Sequence, residues 1–183
     1  MAQDTTENKF SILFDWFDHT DDDLLTREDF ERMAELFTAL PRPDDEENKA
    51  AMRDAFTGWW ELLLDAGVAD DGRVGRQEFI EVMRSSVTSP ENFERVVLSI
   101  IDALMRALDT DGSGAIELDE YVRMYDSLGI NPSTSSAAFR RLDRNGSGSI
   151  SHAEFRTAIE EFYLSTDADA PGNWLLGSPL RAD

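Results

Sequence analysis

The chain has no cysteine, which excludes disulfides, thiolate metal sites and thiol nucleophiles. Lysine is almost as scarce, being confined to Lys9 and Lys49, and Lys plus Arg total 17 against 38 Asp plus Glu. The formal net charge is -21. Nucleic acid and anionic membrane surfaces need clustered positive charge, so neither is expected as a partner. Long apolar runs are missing too. The longest, Val96–Leu108, is interrupted by Asp102 and Arg106 and is too short to span a bilayer. The first twenty residues lack a basic region followed by an unbroken apolar stretch, so no secretory signal is expected and the cytoplasm is the default location. With only His19 and His152 as histidines, and no phosphate-binding glycine loop, an enzyme is not expected.

Apolar material is nevertheless ample. Hydrophobic residues make up 41 % of the 183 residues, and Phe, Trp and Tyr 10 %, enough for a real core despite the charge. Two segments align without gaps, Asp109–Tyr121 and Asp143–Phe155. Each has Gly at its sixth position, Ile at its eighth, Glu at its twelfth and an aromatic at its thirteenth. Apolar residues at helical spacing flank both: Val97, Ile101, Leu104, Met105 and Leu108 before the first, and Phe155, Ile159 and Phe162 within and after the second. Weaker copies start at Asp18 and Gly67. The chain therefore reads as all-α, built of four helix–loop–helix units. Proline-containing linkers lie at residues 41–48, 85–92 and 129–135. Residues 1–86 would form an amino-terminal pair, 91–164 a carboxy-terminal pair and 165–183 a tail.

The loops fit the pattern D-x-[DN]-x-[DN]-G-x5-E, a cage for calcium. Ca²⁺ is a hard cation that takes six to eight oxygens, drawn from positions 1, 3, 5, 7 (a carbonyl), 9 and 12. The glycine at position 6 permits a positive φ. In the third loop these positions are Asp109, Asp111, Ser113, Ala115, Glu117 and Glu120; in the fourth they are Asp143, Asn145, Ser147, Ser149, Ser151 and Glu154. Serine at position 5 departs from the strict pattern but still supplies an oxygen. A helix capping box accounts for positions 9 and 12 alone. It does not account for acids at 1 and 12 with Gly at 6 in two loops, each between apolar helices.

In the first loop Asp18, Thr20, Asp22, Leu24, Thr26 and Asp29 fall on the ligand positions. Position 6 is Asp23, and Asp29 at position 12 is one methylene shorter than Glu, which weakens discrimination against Mg²⁺. The alternative is a Thr-capped helix with a solvated acidic face. The second loop places Gly67 and Ala69 at positions 1 and 3, leaving Asp71 and Glu78 as its obvious ligands, and is expected to be silent. Leu25, Val74, Ile116 and Ile150 occupy position 8, where paired loops can form a short antiparallel link. Three calcium ions are expected, with Mg²⁺ competing mainly at the first loop.

Across Phe10–Phe162 the sequence resembles the EF-hand superfamily. More narrowly it resembles the sarcoplasmic calcium-binding proteins and their calerythrin-like bacterial relatives, which share the four-unit layout, a degenerate second loop and the tail "DADAPGNWLLGSP". The resemblance implies two paired lobes packed into one compact protein, with the tail folded back, acting as a calcium buffer or store. Calcium ions are the expected partners and a monomer the expected state. The alternative is a sensor that opens an apolar groove to a protein target. The six methionines are scattered, which favours a plain core over a Met-rich target surface. A minor alternative is a luciferin-binding, photoprotein-like chain. In the buffer reading, Trp174, Leu175 and Leu176 plug the groove themselves. The aromatic-rich amino-terminal half, with Phe10, Phe14, Phe17, Trp59 and Trp60, is the expected seat.

Overall fold

The computed structural model describes residues 2–66 and 71–176. The apolar spacing read above becomes nine α-helices among these residues: α1 (Ala2–Phe17), α2 (Arg27–Thr38), α3 (Glu46–Asp65), α4 (Arg76–Val82), α5 (Pro90–Asn92), α6 (Ser99–Leu108), α7 (Leu118–Ser127), α8 (Pro132–Leu142) and α9 (His152–Leu164). A 3-10 turn, Pro171–Trp174, follows in the tail. Four very short strands, β1 (Leu24–Leu25), β2 (Val74–Gly75), β3 (Ala115–Glu117) and β4 (Ser149–Ser151), lie in the loops. They pair antiparallel as β1–β2 and β3–β4. The position-8 residues face one another as the spacing required: Leu25 opposite Val74, and Ile116 opposite Ile150. All four are fully buried, so each link between loops is also a core contact.

The expected linker at residues 85–92 is largely helical instead. A π-helical turn, Met83–Val87, continues α4, and a second, Phe93–Leu98, joins α5 to α6. Proline does not break the chain here because Pro90 sits at the first position of α5, where its missing N–H costs nothing. The chain divides by its internal contacts into two units, Phe10–Leu104 and Met1–Lys9 with Met105–Asp183. This division falls inside α1 and α6 rather than at 86 and 91.

In the first unit an aromatic cluster forms the core. Phe17 stacks on Phe30 at 4.6 Å and meets Trp59 edge-on at 5.2 Å, while Phe14 meets Phe79 at 5.6 Å. Each ring buried this way contributes about 1.5–3 kcal/mol. In the second unit Tyr121 lies 4.5 Å from Tyr125 and 5.6 Å from Phe139. Lys9 is fully buried, its ammonium donating to the carbonyls of Glu161 (3.1 Å) and Ser165 (2.8 Å) at the end of α9. Burial pulls its pKa down to about 8, against the opposing pull of Glu161 and Asp167.

Candidate metal centre

Each loop of the expected metal-binding set is held by the same small network. Helix α6 ends at Leu108 and hands over to Asp109, whose carboxylate turns back over the loop. Its Oδ1 accepts from Ser113 N (2.8 Å) and its Oδ2 from Gly114 N (2.8 Å). In the fourth loop Asp143 accepts from Ser147 N (3.0 Å) and Gly148 N (2.9 Å). In the first, Asp18 accepts from Asp22 N (3.3 Å) and Asp23 N (2.9 Å). An acid at position 1 and open N–H groups at 5 and 6 thus curl all three loops alike.

Position 12 closes the loop. Glu120 reaches back with Oε1 to Thr110 N (2.9 Å) and with Oε2 to Glu117 N (3.0 Å). Glu154 does the same to Arg144 N (3.1 Å) and Ser151 N (3.0 Å). Asp29 takes Thr26 N at 2.8 Å but His19 N only at 3.4 Å. The shorter side chain serves the helix cap and hangs back from the loop entrance. For Asp109, Glu120 and Glu154, burial raises the pKa, but the hydrogen bonds outweigh it and hold each below the usual carboxylate range. The donors are chiefly Gly114 N, Thr110 Oγ and Ser151 N respectively. All three are anionic at neutral pH.

The oxygens fit a hard cation. Ser113 Oγ lies 3.4 Å from Asp109 Oδ1 and 3.0 Å from the Ala115 carbonyl. Ser147 Oγ lies 3.4 Å from Asp143 Oδ1 and 3.0 Å from the Ser149 carbonyl. Oxygens sharing an ion at about 2.3–2.6 Å sit roughly 3 Å from one another, and the serine at position 5 stands at about that spacing from both position 1 and position 7. Among the described residues no three of His, Cys, Asp and Glu gather as one metal cluster. In the second loop Gly67 and Ala69 lie outside the described residues. Asp71 caps Arg73 N (3.1 Å) and Glu78 caps Gly75 N (2.8 Å).

Several residues beside the loops were not marked by the sequence. Arg76, at position 10 of the second loop, binds Asp23 of the first at 2.6 Å. Arg144, at position 2 of the fourth loop, pairs with Glu161 of α9, and the same carboxylate accepts from the tail's Gly172 N at 2.8 Å. No local pattern signals such pairs.

The tail folds back, but not onto the expected seat. Its 3-10 turn packs on α8 and α9 of its own unit. Leu175 is buried, and its carbonyl accepts from Tyr125 OH. Asn173 is buried and donates to the carbonyls of Asp167 (3.0 Å) and Ala168 (2.7 Å). Trp174 is half-buried, with the Arg141 guanidinium 5.1 Å from its ring centre, and Leu176 is also half-buried. Phe14, Phe17, Trp59 and Trp60, four of the five rings expected to receive the tail, pack with one another and with Phe30, Phe56 and Phe79.

Comparison with known proteins agrees with this geometry. A model described as "EF hand" matches residues 136–159, and one described as "EF-hand domain pair" matches 98–128. A sarcoplasmic calcium-binding protein of Perinereis vancaurica tetradentata is 34 % identical over 172 residues, covering 94 % of this chain and 96 % of that one. The chain is an EF-hand protein of the sarcoplasmic calcium-binding protein family. Calerythrin of Saccharopolyspora erythraea is 28 % identical over 82 % of this EF-hand chain and 88 % of its own. The structure of a Streptomyces coelicolor calcium-binding protein, described as a basis for calcium-mediated regulation, superposes with TM-score 0.67. It is 25 % identical and covers 89 % of this chain and 99 % of that one. The apoaequorin complex with (S)-HM-daCTZ shares the fold, with TM-score 0.75 at 18 % identity over 97 % and 92 % of the two chains. Among the described residues no helix of this EF-hand protein is long and apolar enough to cross a membrane.

Proposed function

We propose that this calcium-binding EF-hand protein is a monomeric, cytoplasmic calcium buffer or store that takes up three ions. The first, third and fourth loops would hold them through Asp18, Thr20, Asp22, Leu24, Thr26 and Asp29; Asp109, Asp111, Ser113, Ala115, Glu117 and Glu120; and Asp143, Asn145, Ser147, Ser149, Ser151 and Glu154. The bound ion supplies charge neutralisation. The chain's own part is to keep Asp109, Glu120 and Glu154 ionised and the loops curled before the ion arrives. Three divalent ions would bring the net charge from -21 to about -15. Binding only to the folded state, at a hundredfold excess over the dissociation constant, stabilises by about 2.7 kcal/mol per independent site.

The observation that favours a buffer over a sensor is the seat of the tail. Leu175 is buried, and the turn before it is hydrogen-bonded through Gly172 and Asn173. A target helix entering between α8 and α9 would have to displace this turn. His19 and His152 are both exposed, a poor setting for a luciferin pocket.

Calorimetric calcium titration, with and without Mg²⁺, tests the reading. Three ions are expected, with Mg²⁺ depressing one of them. Two ions would make the first loop silent, and four would overturn the reading of Gly67 and Ala69. Truncation at Ala170 should raise hydrophobic-dye binding in saturating calcium. Equal binding by intact and truncated protein would favour the sensor.

A further inference from the structure

We propose that Arg76 is the positioning residue of the first metal loop. From position 10 of the ligand-poor second loop, its guanidinium holds Asp23 in the left-handed conformation that glycine supplies in the third and fourth loops. The inference rests on the reading of the first loop as a metal site.

Positive φ recurs at positions 4 and 6 of all three loops. In the third and fourth these are Gly112 and Gly114 (74° and 82°) and Gly146 and Gly148 (69° and 88°). In the first they are Asp21 and Asp23 (56° and 60°), the only non-glycine residues with positive φ among those described. A side chain disfavours this region, Asp less than most. Position 6 matters most, because its N–H feeds the position-1 carboxylate: Asp23 N to Asp18 Oδ2 is 2.9 Å.

Arg76 is built to hold that position. Leu24 pairs with Gly75 across β1–β2, so the residue before Leu24 and the residue after Gly75 are brought side by side. Arg76 Nη2 then meets Asp23 Oδ1 at 2.6 Å. The rest of the guanidinium is anchored on α1. Nη1 meets Asp15 at 2.6 Å and Ser11 Oγ at 2.9 Å, and the group lies 4.6 Å over the Phe14 ring. A planar guanidinium that bridges two carboxylates and stacks on a ring is a rigid post. The third and fourth loops have no equivalent, since a glycine at position 6 has no side chain to hold. The second loop, poor in ligands itself, thereby serves its neighbour with a fixed cation as well as a strand.

The test uses the full chain with Arg76→Ala, the double variant Arg76→Ala with Asp23→Gly, and the single variants Asp23→Gly and Asp23→Ala. Amide hydrogen exchange of the metal-free protein is read by NMR. Calcium is then titrated at low and high salt. In Arg76→Ala, exchange at residues 22 and 23 is expected to rise about tenfold, or 1.4 kcal/mol, with Ser113 and Gly114 unchanged. First-site affinity should fall several-fold at both salt concentrations. Adding Asp23→Gly should restore both. Asp23→Ala should reproduce the loosening and Asp23→Gly should not, a pair that leaves Arg76 intact if its own variant misfolds. Unchanged exchange in Arg76→Ala and Asp23→Ala overturns the proposal. Failure of glycine to rescue overturns it too, by assigning Arg76 to α1 docking through Ser11 and Asp15. An affinity that rises at low salt and returns at high salt would reduce Arg76 to a repelling charge. A wild-type count of two ions with the expected exchange pattern would sink the metal-site reading and leave the positioning role standing.

Discussion

The two EF-hand pairs reach one loop geometry by different chemistry. In the second pair, glycine at positions 4 and 6 lets both loops adopt positive φ without help. In the first pair the same turn is made by aspartates and tied to the neighbouring loop by Arg76. The pairs also differ at the closing position. Glu120 and Glu154 span from the helix cap to the loop entrance at 2.9 and 3.1 Å, whereas Asp29 holds the cap and meets His19 N only at 3.4 Å. The second pair carries its geometry within each loop, while the first distributes it between two loops. Calcium affinity in the second pair should therefore depend on residues of the loop itself, and in the first on a partner 53 positions away.

The largest effect follows from the closing carboxylates. Glu120→Gln or Glu154→Gln removes a charge and an oxygen that the structure already holds in place. Even outer partners of metal ligands cost 10–100-fold when lost, so the local site should weaken by at least about 100-fold. The remaining site of the pair should weaken less. Calorimetry on each variant reads this directly, and unchanged affinity in either would remove that loop from the set of metal sites.

A second effect separates the pairs by the tail. A Cβ on Gly172 would stand 2.3 Å from the Ala158 carbonyl oxygen and 2.6 Å from Glu161 Cβ. Neither α9 atom is the far end of a flexible chain, so Gly172→Ala must lift the turn. A cost of about 1–3 kcal/mol is expected in chemical denaturation. Calcium-dependent dye binding should rise with it. Because Glu161 also pairs with Arg144 of the fourth loop, affinity at that loop should shift more than at the third. A stability equal to wild type would mean that the tail contributes nothing to holding α8 and α9.

What could be read beforehand was what is local. The loop pattern lies within twelve residues and the helices announce themselves by apolar spacing, so the all-α layout and the paired position-8 residues were legible. The missed features join distant residues. Arg76 lies 53 positions from Asp23 and matches no ligand position of its own loop. Glu161 gave no sign that it bridges Arg144 and Gly172. Residues 85–92 read as a linker because Pro90 lies among them, yet a first-turn proline is compatible with the short helix it starts. The tail's seat was misplaced because the aromatic excess of the first pair suggested vacant surface. Those rings satisfy one another, with Phe17 alone meeting Phe30, Phe56, Phe79 and Trp59.

The smallest effect tests the difference at position 12. Asp29→Glu should shorten the 3.4 Å contact with the amide of residue 19 towards the 2.9 Å that Glu120 makes with Thr110, and offer the ion a second oxygen. Ca²⁺ accepts irregular sets of six to eight oxygens, whereas Mg²⁺ demands a tight octahedron and keeps its waters. The added oxygen should favour calcium, raising Ca²⁺-over-Mg²⁺ preference at the first site by about 3–10-fold, at most 1.4 kcal/mol. The extra methylene enters a site where Asp29 is only 3 % exposed, so the metal-free protein should lose some stability by crowding. The two consequences separate cleanly. Metal-free thermal melts report the crowding, and calcium titrations with and without millimolar Mg²⁺ report the preference. If preference does not change while the melt shows the side chain to be accommodated, the short carboxylate is not what distinguishes the first loop. The tether from Arg76 then becomes the main difference between the two pairs.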